Sequence, residues 1–384
     1  LSIDNLKSLS YHFILSDGKI QGDGLEFLKT ELSKAQFTLL GDYPDSKNTS
    51  ELTTALIPLL DASDYRTMAL GVGIPSGRLL HSLSKEPNTI RSEFKKMNTE
   101  YSFQENEITV TPMPDMKFVE DVEFIQKAGE QNWSLIGFGY ESWNALPLWT
   151  DTMYKNLSQD QREKHKATYT NCLEILKQQY QNRNGNLLAF TNTLKESEVV
   201  NRFLNIAADN PKNTIYISAF QNSLRLASMY ANQQFFEKNQ LRVNDEKYFL
   251  KQELERINFD IHKDKLLVKW DGNFLSRGFQ PYAFYGVGNT LSEIANYNGS
   301  KSLHIVVMPR YVQKNEVIQD VLNSENGNSN PLDSFVAMGQ KNEWTIIDLQ
   351  PIGPGHFYAP RKYLLNNAEE DFIKRFDILI IPPI

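Results

Sequence analysis

Short, nearly unbroken apolar runs alternate along the chain with longer stretches in which apolar residues recur at helical spacing. The opening segment to Lys34 reads as helical, with Leu25, Phe27, Leu28 and Leu32 on a helix that ends before Ala35. Phe37-Thr38-Leu39-Leu40 then predicts a buried strand, stopped by the turn Gly41-Asp42-Tyr43-Pro44-Asp45. Ser50 can cap a helix carrying Leu52, Leu56, Leu59 and Leu60, and Thr67 to Gly73 predicts a second buried strand. Strand, helix and strand within about forty residues form a βαβ unit, which implies a parallel pair.

Ser134 to Gly139 predicts a third strand that also runs into polar residues. From Leu146 to about Phe259 the pattern turns helical and polar, with helices predicted over 159–181, 196–208 and 220–254, the last interrupted near 242–245. Strand patterns return at 265–270, 303–308, 344–349 and 376–381 as near-continuous Val, Ile and Leu runs, the mark of strands covered on both faces. Residues 323–331 read as a surface loop. The expected fold is α/β: a mainly parallel, mixed central sheet flanked by helices, with a helical insertion between sheet strands. The division expected is 1–145 for the first part of the core, 146–260 for the insertion and 261–384 for the second part, all one compact unit.

Composition narrows the classes of function. The 384 residues include 40% hydrophobic and 23% charged positions, the balance of an ordered globular chain. A net charge of -7 without a basic stripe argues against a nucleic-acid partner. The single cysteine, Cys172, excludes an internal disulfide and a cysteine-rich zinc site, and reads as a buried small hydrophobe. No apolar run reaches the ~18 residues of a membrane helix. The chain starts at Leu1, so a bacterial exported protein with its leader removed fits, as does a trimmed chain.

In an open parallel sheet, ligands bind beyond the carboxyl ends of the strands. That rule selects Asp42 and Asp45, Gly71 to Gly73, Tyr140 and Glu141, and the stretch Asp271 to Gly278 with Asn273, Phe274 and Arg277. Paired carboxylates there can serve as general acid and base, hold a hard cation, or simply cap turns, as aspartate beside Gly and Pro usually does. Of the six histidines, only His356 in Pro354-Gly355-His356-Phe357 offers itself as a base. No HExxH, HxH or GxSxG pattern occurs. Gly286-Val287-Gly288-Asn289-Thr290 lacks the lysine of a phosphate loop and reads as a helix cap. Aromatic residues gather after two strands, with Phe138, Tyr140, Trp143 and Trp149 in one group and Phe274, Phe279, Tyr282, Phe284 and Tyr285 in the other. They can line an apolar pocket or pack under loops.

The order of these segments resembles the erythromycin-esterase-like proteins, relatives of the ChaN/Tiki haem-uptake superfamily. FTLLGDYPD stands where the family has a strand and a GExxHG-like turn, MALGVG where a strand ends in Leu-Glu, and GFGYE where a Gly-x-Asp-x-Glu pattern falls. DGNFLSRG stands for a Gly-x-Asn-His stretch, while GVGNTLSEIANYNGSKSLHIVV, EWTIIDLQP and FDILIIPP match well. The resemblance implies that Asp42 replaces the first acid, Pro44 or Tyr43 a histidine, Gly71 a second acid and Gly139 an aspartate beside the retained Glu141. Asp245 replaces a helix arginine, and Phe274 a late histidine beside the retained Asn273.

Two functional expectations follow. One is a catalytically degenerate protein that binds a small ligand at the carboxyl ends of the strands, against Tyr43, Tyr140, Trp143, Asn273, Phe274 and Arg277. The other is an active esterase with a rebuilt site of Asp42, Asp45, Glu141 and His356. Neither calls for a cofactor or a metal.

Overall fold

The computed structural model describes all residues except 43–46, 106–107, 115, 117, 184, 281, 315–316, 324–330 and 359–361, so Tyr43, Asp45 and most of the loop expected at 323–331 lie outside the described residues. Its strands in chain order are β1 Ser10–Ser16, β2 Lys19–Gln21, β3 Phe37–Asp42, β4 Tyr65–Gly73, β5 Phe103–Glu105, β6 Ile108–Val110, β7 Ser134–Gly139, β8 Lys265–Asp271, β9 Ser302–Val307, β10 Tyr311–Lys314, β11 Val317–Asp320, β12 Trp344–Asp348 and β13 Ile378–Ile381. The fold is α/β with a mixed, mostly parallel main sheet. The chain groups into two compact units, 1–69 with 131–134 and 258–384, and 70–130 with 135–257. This grouping cuts across the division expected at 145 and 260.

Unit 1 carries strands in the order β2-β1-β12-β13-β9-β3-β8 and then the first half of β4. β13, β9, β3 and β8 run parallel. β12 is antiparallel to both β13 and β1. The parallel strands are the apolar runs of the sequence, and they are buried almost without alternation, as strands covered on both faces must be. The register sets Leu39 against both Val268 and His304, and Asp42 against Asp271, so the carboxyl ends of β3 and β8 finish level.

The opening segment corrects the helical expectation. Residues 10–21 form the β1–β2 hairpin, and helix is confined to Ile3–Lys7 and Asp23–Lys34. Asp17 and Gly18 both take positive φ, 49° and 68°, which suits the two-residue turn that an Asp-Gly pair favours between strands.

Unit 2 holds the end of β4, most of β7, the antiparallel β5–β6 hairpin and a set of helices. The long helix expected over 159–181 spans Gln159–Asn182, opened by a capping box on Ser158 and Gln161. The helix expected over 220–254 is two, Thr214–Ala231 and Phe235–Arg256, broken at 232–234 rather than 242–245. Leu176, Phe190, Phe203, Phe220 and Cys172 belong to one apolar core, and burial pushes the Cys172 thiol up to about 12. The helix Ile74–Ser84 lies so close to β7 that a Cβ on Gly77 would stand 2.0 Å from the Gly137 nitrogen. Only glycine permits that approach.

Candidate functional site

In unit 1 the residues that reach the carboxyl ends of β3 and β8 are Asp42, Lys269, Asp271 and the short helix Gly272–Leu275. Gly41 makes the corner possible, because a Cβ there would meet the Gly272 Cα at 2.8 Å. Lys269, only 6% exposed between Val268 and Trp270, sends its ammonium to Asp42 Oδ2 at 2.5 Å. The other oxygen, Oδ1, is buried and receives no hydrogen bond from any described residue. Asp271 accepts from the Asn273 backbone N–H at 2.7 Å and so caps the short helix, while Asn273 itself is exposed.

Phe274 is buried between Trp270 and Phe284, with ring centroids 4.2 and 5.1 Å away. Tyr282 continues this stack toward solvent at 6.4 Å from Phe284 and is 55% exposed. Beside it, exposed Phe279 and Tyr285 pack together at 5.2 Å. Gly286 caps the helix Val287–Tyr297, and a Cβ on Gly288 would meet the Leu275 carbonyl at 2.1 Å, so the GVGN stretch serves close packing on the site's own loop.

Two expected residues lie elsewhere in the unit. Arg277 forms a two-pronged pair with Asp377, at 2.5 and 2.8 Å, and donates to the carbonyl of Ser302, the first residue of β9. The chain has thus turned back toward the amino ends of the parallel strands. His356 follows β12, whose last residue Asp348 pairs with Ile378, the first residue of β13. An antiparallel strand delivers its successor to the opposite edge, so His356 and Asp42 occupy different edges. The His356 Nδ1 donates to the Tyr363 carbonyl at 3.0 Å.

The other three histidines of unit 1 stand apart from Asp42 as well. His304 is fully buried within β9; Nδ1 donates to the Leu275 carbonyl at 2.7 Å, so Nε2 accepts from the Ser302 hydroxyl at 2.9 Å. Desolvation, reinforced by Arg277, holds it well below the ordinary histidine value. His12 lies on β1, four strand positions from β3 and therefore ~19 Å across the sheet. His262 bonds to Asn298, which also donates to Gln36 just ahead of β3. His81 and His165 belong to unit 2: His81 accepts from Leu135 near the start of β7, and His165 sits on the helix Gln159–Asn182.

In unit 2 the end of β7 places Tyr140 and Glu141. Glu141 is 6% exposed and sits at the start of the helix Ile74–Ser84, where Ser76 gives its backbone N–H to Oε1 and its hydroxyl to Oε2, each at 2.7 Å. Gly73 makes room, since a Cβ there would stand 2.4 Å from the carboxyl carbon. Desolvation pushes the Glu141 carboxyl up to about 7 despite the Ser76 bonds that pull it down. The Tyr140 hydroxyl donates to Asp245; burial and that carboxylate raise the phenol above its usual range. Trp143 opens a short turn after Ser142 and packs against the helical core, its carbonyl accepting from Tyr180. Lys269, Ser76 and the Tyr140–Asp245 bond were not anticipated from sequence. A lysine inside LLVKWD was the available signal, because a buried ammonium requires an acid. Among the described residues no three His, Cys, Asp or Glu side chains converge to hold a metal ion, and no helix is long and apolar enough to cross a membrane.

This architecture is an erythromycin-esterase-like α/β fold. A mutant of the erythromycin esterase EreC, solved in its open conformation, is similar over 96% of this chain and 95% of that one, with a TM-score of 0.56 and 12% identity. A protein from Bacillus cereus is similar over 99% of this chain and 96% of its own, with a TM-score of 0.51 and 13% identity. A succinoglycan biosynthesis protein is similar over the same shares, with a TM-score of 0.53 and 12% identity. No family model matches the chain, and no curated protein does.

Proposed function

We propose that this chain is a small-molecule-binding protein on an erythromycin-esterase-like scaffold, and that the carboxyl edge of unit 1 holds a ligand without hydrolysing it. The observation that carries this reading is the Asp42–Lys269 pair. Ester hydrolysis needs a group free to take a proton from water or a hydroxyl. One oxygen of Asp42 is already taken by an ammonium, and none of the four histidines of unit 1 stands beside it. What remains is suited to recognition. Asp42 Oδ1, buried and with no hydrogen bond from any described residue, is the acceptor that a ligand hydroxyl or amine entering the site would meet. The Trp270–Phe274–Phe284 stack surfaces at Tyr282 and offers a ring face to an apolar body.

The test is incubation of the protein with esters and lactones, a macrolide included, and with haem, followed by mass analysis and equilibrium titration. The expected result is binding without turnover, weakened roughly tenfold by Tyr282→Ala, the loss of about one aromatic contact. Hydrolysis that disappears on Asp42→Asn or Glu141→Gln overturns the reading and makes the chain an esterase with a rebuilt carboxylate site.

A further inference from the structure

Unit 2 contains a separate cavity of about 910 Å³, walled by the helices Ile90–Tyr101 and Val119–Glu130 and by the β5–β6 hairpin. Phe94, Phe103, Val119 and Val122 give it an apolar wall, and Arg91 and Lys95 bring two cations to it. No aspartate or glutamate is among its described lining residues, although the chain as a whole carries a net charge of -7. The volume falls in the range of small-molecule sites, roughly 300–1,000 Å³. Val119 is 60% exposed, an apolar side chain left uncovered at the cavity. Asn98, also in the wall, has its Oδ1 buried and without a hydrogen bond from any described residue.

From this lining we infer that the cavity is a binding site for a single-chain amphipathic anion, with the alkyl chain against Phe94, Phe103 and Val122 and a carboxylate or sulfate head beside Lys95 and Arg91. Arg91 already meets Glu123 at 2.9 Å, but both partners are substantially exposed, 57% and 37%. Such a surface pair is worth at most about 1 kcal/mol, so the guanidinium can turn to a ligand head group at little cost. Cations against an apolar wall select the sign of the head group, and the wall selects the tail.

Dodecanoate, below its micellar concentration, is the probe, titrated calorimetrically into the full chain, with dodecyltrimethylammonium as the charge-reversed control. The expected result is saturable dodecanoate binding that weakens as salt rises, with the ammonium compound binding poorly. Arg91→Glu with Lys95→Glu, both at exposed positions, lowers dodecanoate affinity at least about tenfold and raises that of the ammonium compound. Val119→Trp fills the cavity from its exposed side and abolishes both. Asp42→Asn leaves dodecanoate binding unchanged, which separates this site from the one proposed in unit 1. Absence of saturable binding, equal affinity in the charge-reversed variant, retention in Val119→Trp, or loss on Asp42→Asn each overturns the inference. Thermal melts of each variant establish that a loss of binding is not a loss of fold.

Discussion

Each unit of the molecule ends a strand on a carboxylate, and the two are stabilised by opposite means. Asp42 at the end of β3 has a lysine supplied by the neighbouring strand at 2.5 Å. Glu141, just beyond β7, has no cation at hydrogen-bond distance among the described residues; it has the first turn of a helix, with a hydroxyl and a backbone N–H. Burial among neutral donors leaves a carboxylate poised to take up a proton, which is the Glu141 arrangement. The same fold therefore presents one acid built as half of an ion pair and another held near 7. Either can orient a ligand, and Glu141 has the protonation range of a working acid or base.

The sharpest way to break the comparison is to remove the backbone approach that builds the Glu141 corner. Gly77→Ala drives a Cβ into the Gly137 nitrogen, 2.0 Å away, and neither partner is the flexible end of a side chain. The expected loss is about 3 kcal/mol or more, beyond the usual cost of overpacking, because the helix and β7 must separate. Urea unfolding of the variant measures it. A wild-type midpoint removes the close approach as the support of the Glu141 site.

Lys269→Met should cost about 3 kcal/mol at neutral pH by stranding Asp42 beside an apolar neighbour. The double variant with Asp42→Asn should recover most of that, since both charges then leave together. A double-mutant cycle showing no coupling would mean that the pair is incidental and would remove the main support for a non-hydrolytic site.

How far these features were readable from sequence differs between the units. The parallel strands of unit 1 were legible because strands covered on both faces are built around apolar runs, such as Leu266 to Val268 in β8, Ile305 to Val307 in β9 and all of β13. The β1–β2 hairpin was not recognised, because Leu25, Phe27, Leu28 and Leu32 set a helical period that was carried back over SYHFILS and its Asp-Gly turn. The rule that ligands gather at carboxyl ends pointed to Asp42 and Glu141, and the structure has Asp42 at the end of β3 and Glu141 just beyond β7. The rule holds only for parallel strands, and β12, which precedes His356, is antiparallel to β13, which puts His356 at the far edge. Arg277 defeated the rule differently, since its loop folds back along the sheet to Asp377 and Ser302, a long-range pairing that no local pattern encodes.

Glu141 gives the comparison a pH signature. Its folded value near 7 lies above the ordinary 4.5, so the native state holds a proton that the unfolded chain has released. Stability from this group is full below about 4.5 and is lost as pH rises toward 7, by on the order of 3 kcal/mol. Glu141→Gln should flatten that slope in denaturant midpoints measured from pH 4.5 to 7.5. An unchanged slope would show the carboxyl to be already ionised in the fold.

His304 in unit 1 should show the reverse slope with a smaller effect at neutrality. Its folded value lies well below the ordinary 6.5, so the unfolded chain takes up a proton that the native state refuses. Stability from this group is intact above about 6.5 and falls as pH drops toward the folded value. His304→Gln removes the ring that bridges Ser302 and Leu275, and at pH 7.5 it should cost about 1–2 kcal/mol for the lost hydrogen bonds. That deficit should shrink as pH is lowered toward 5, because only the wild type then pays for keeping its imidazole neutral. Equal deficits at both pH values would mean that His304 is protonated in the fold, and the opposite pH responses of the two units would then lose their physical basis.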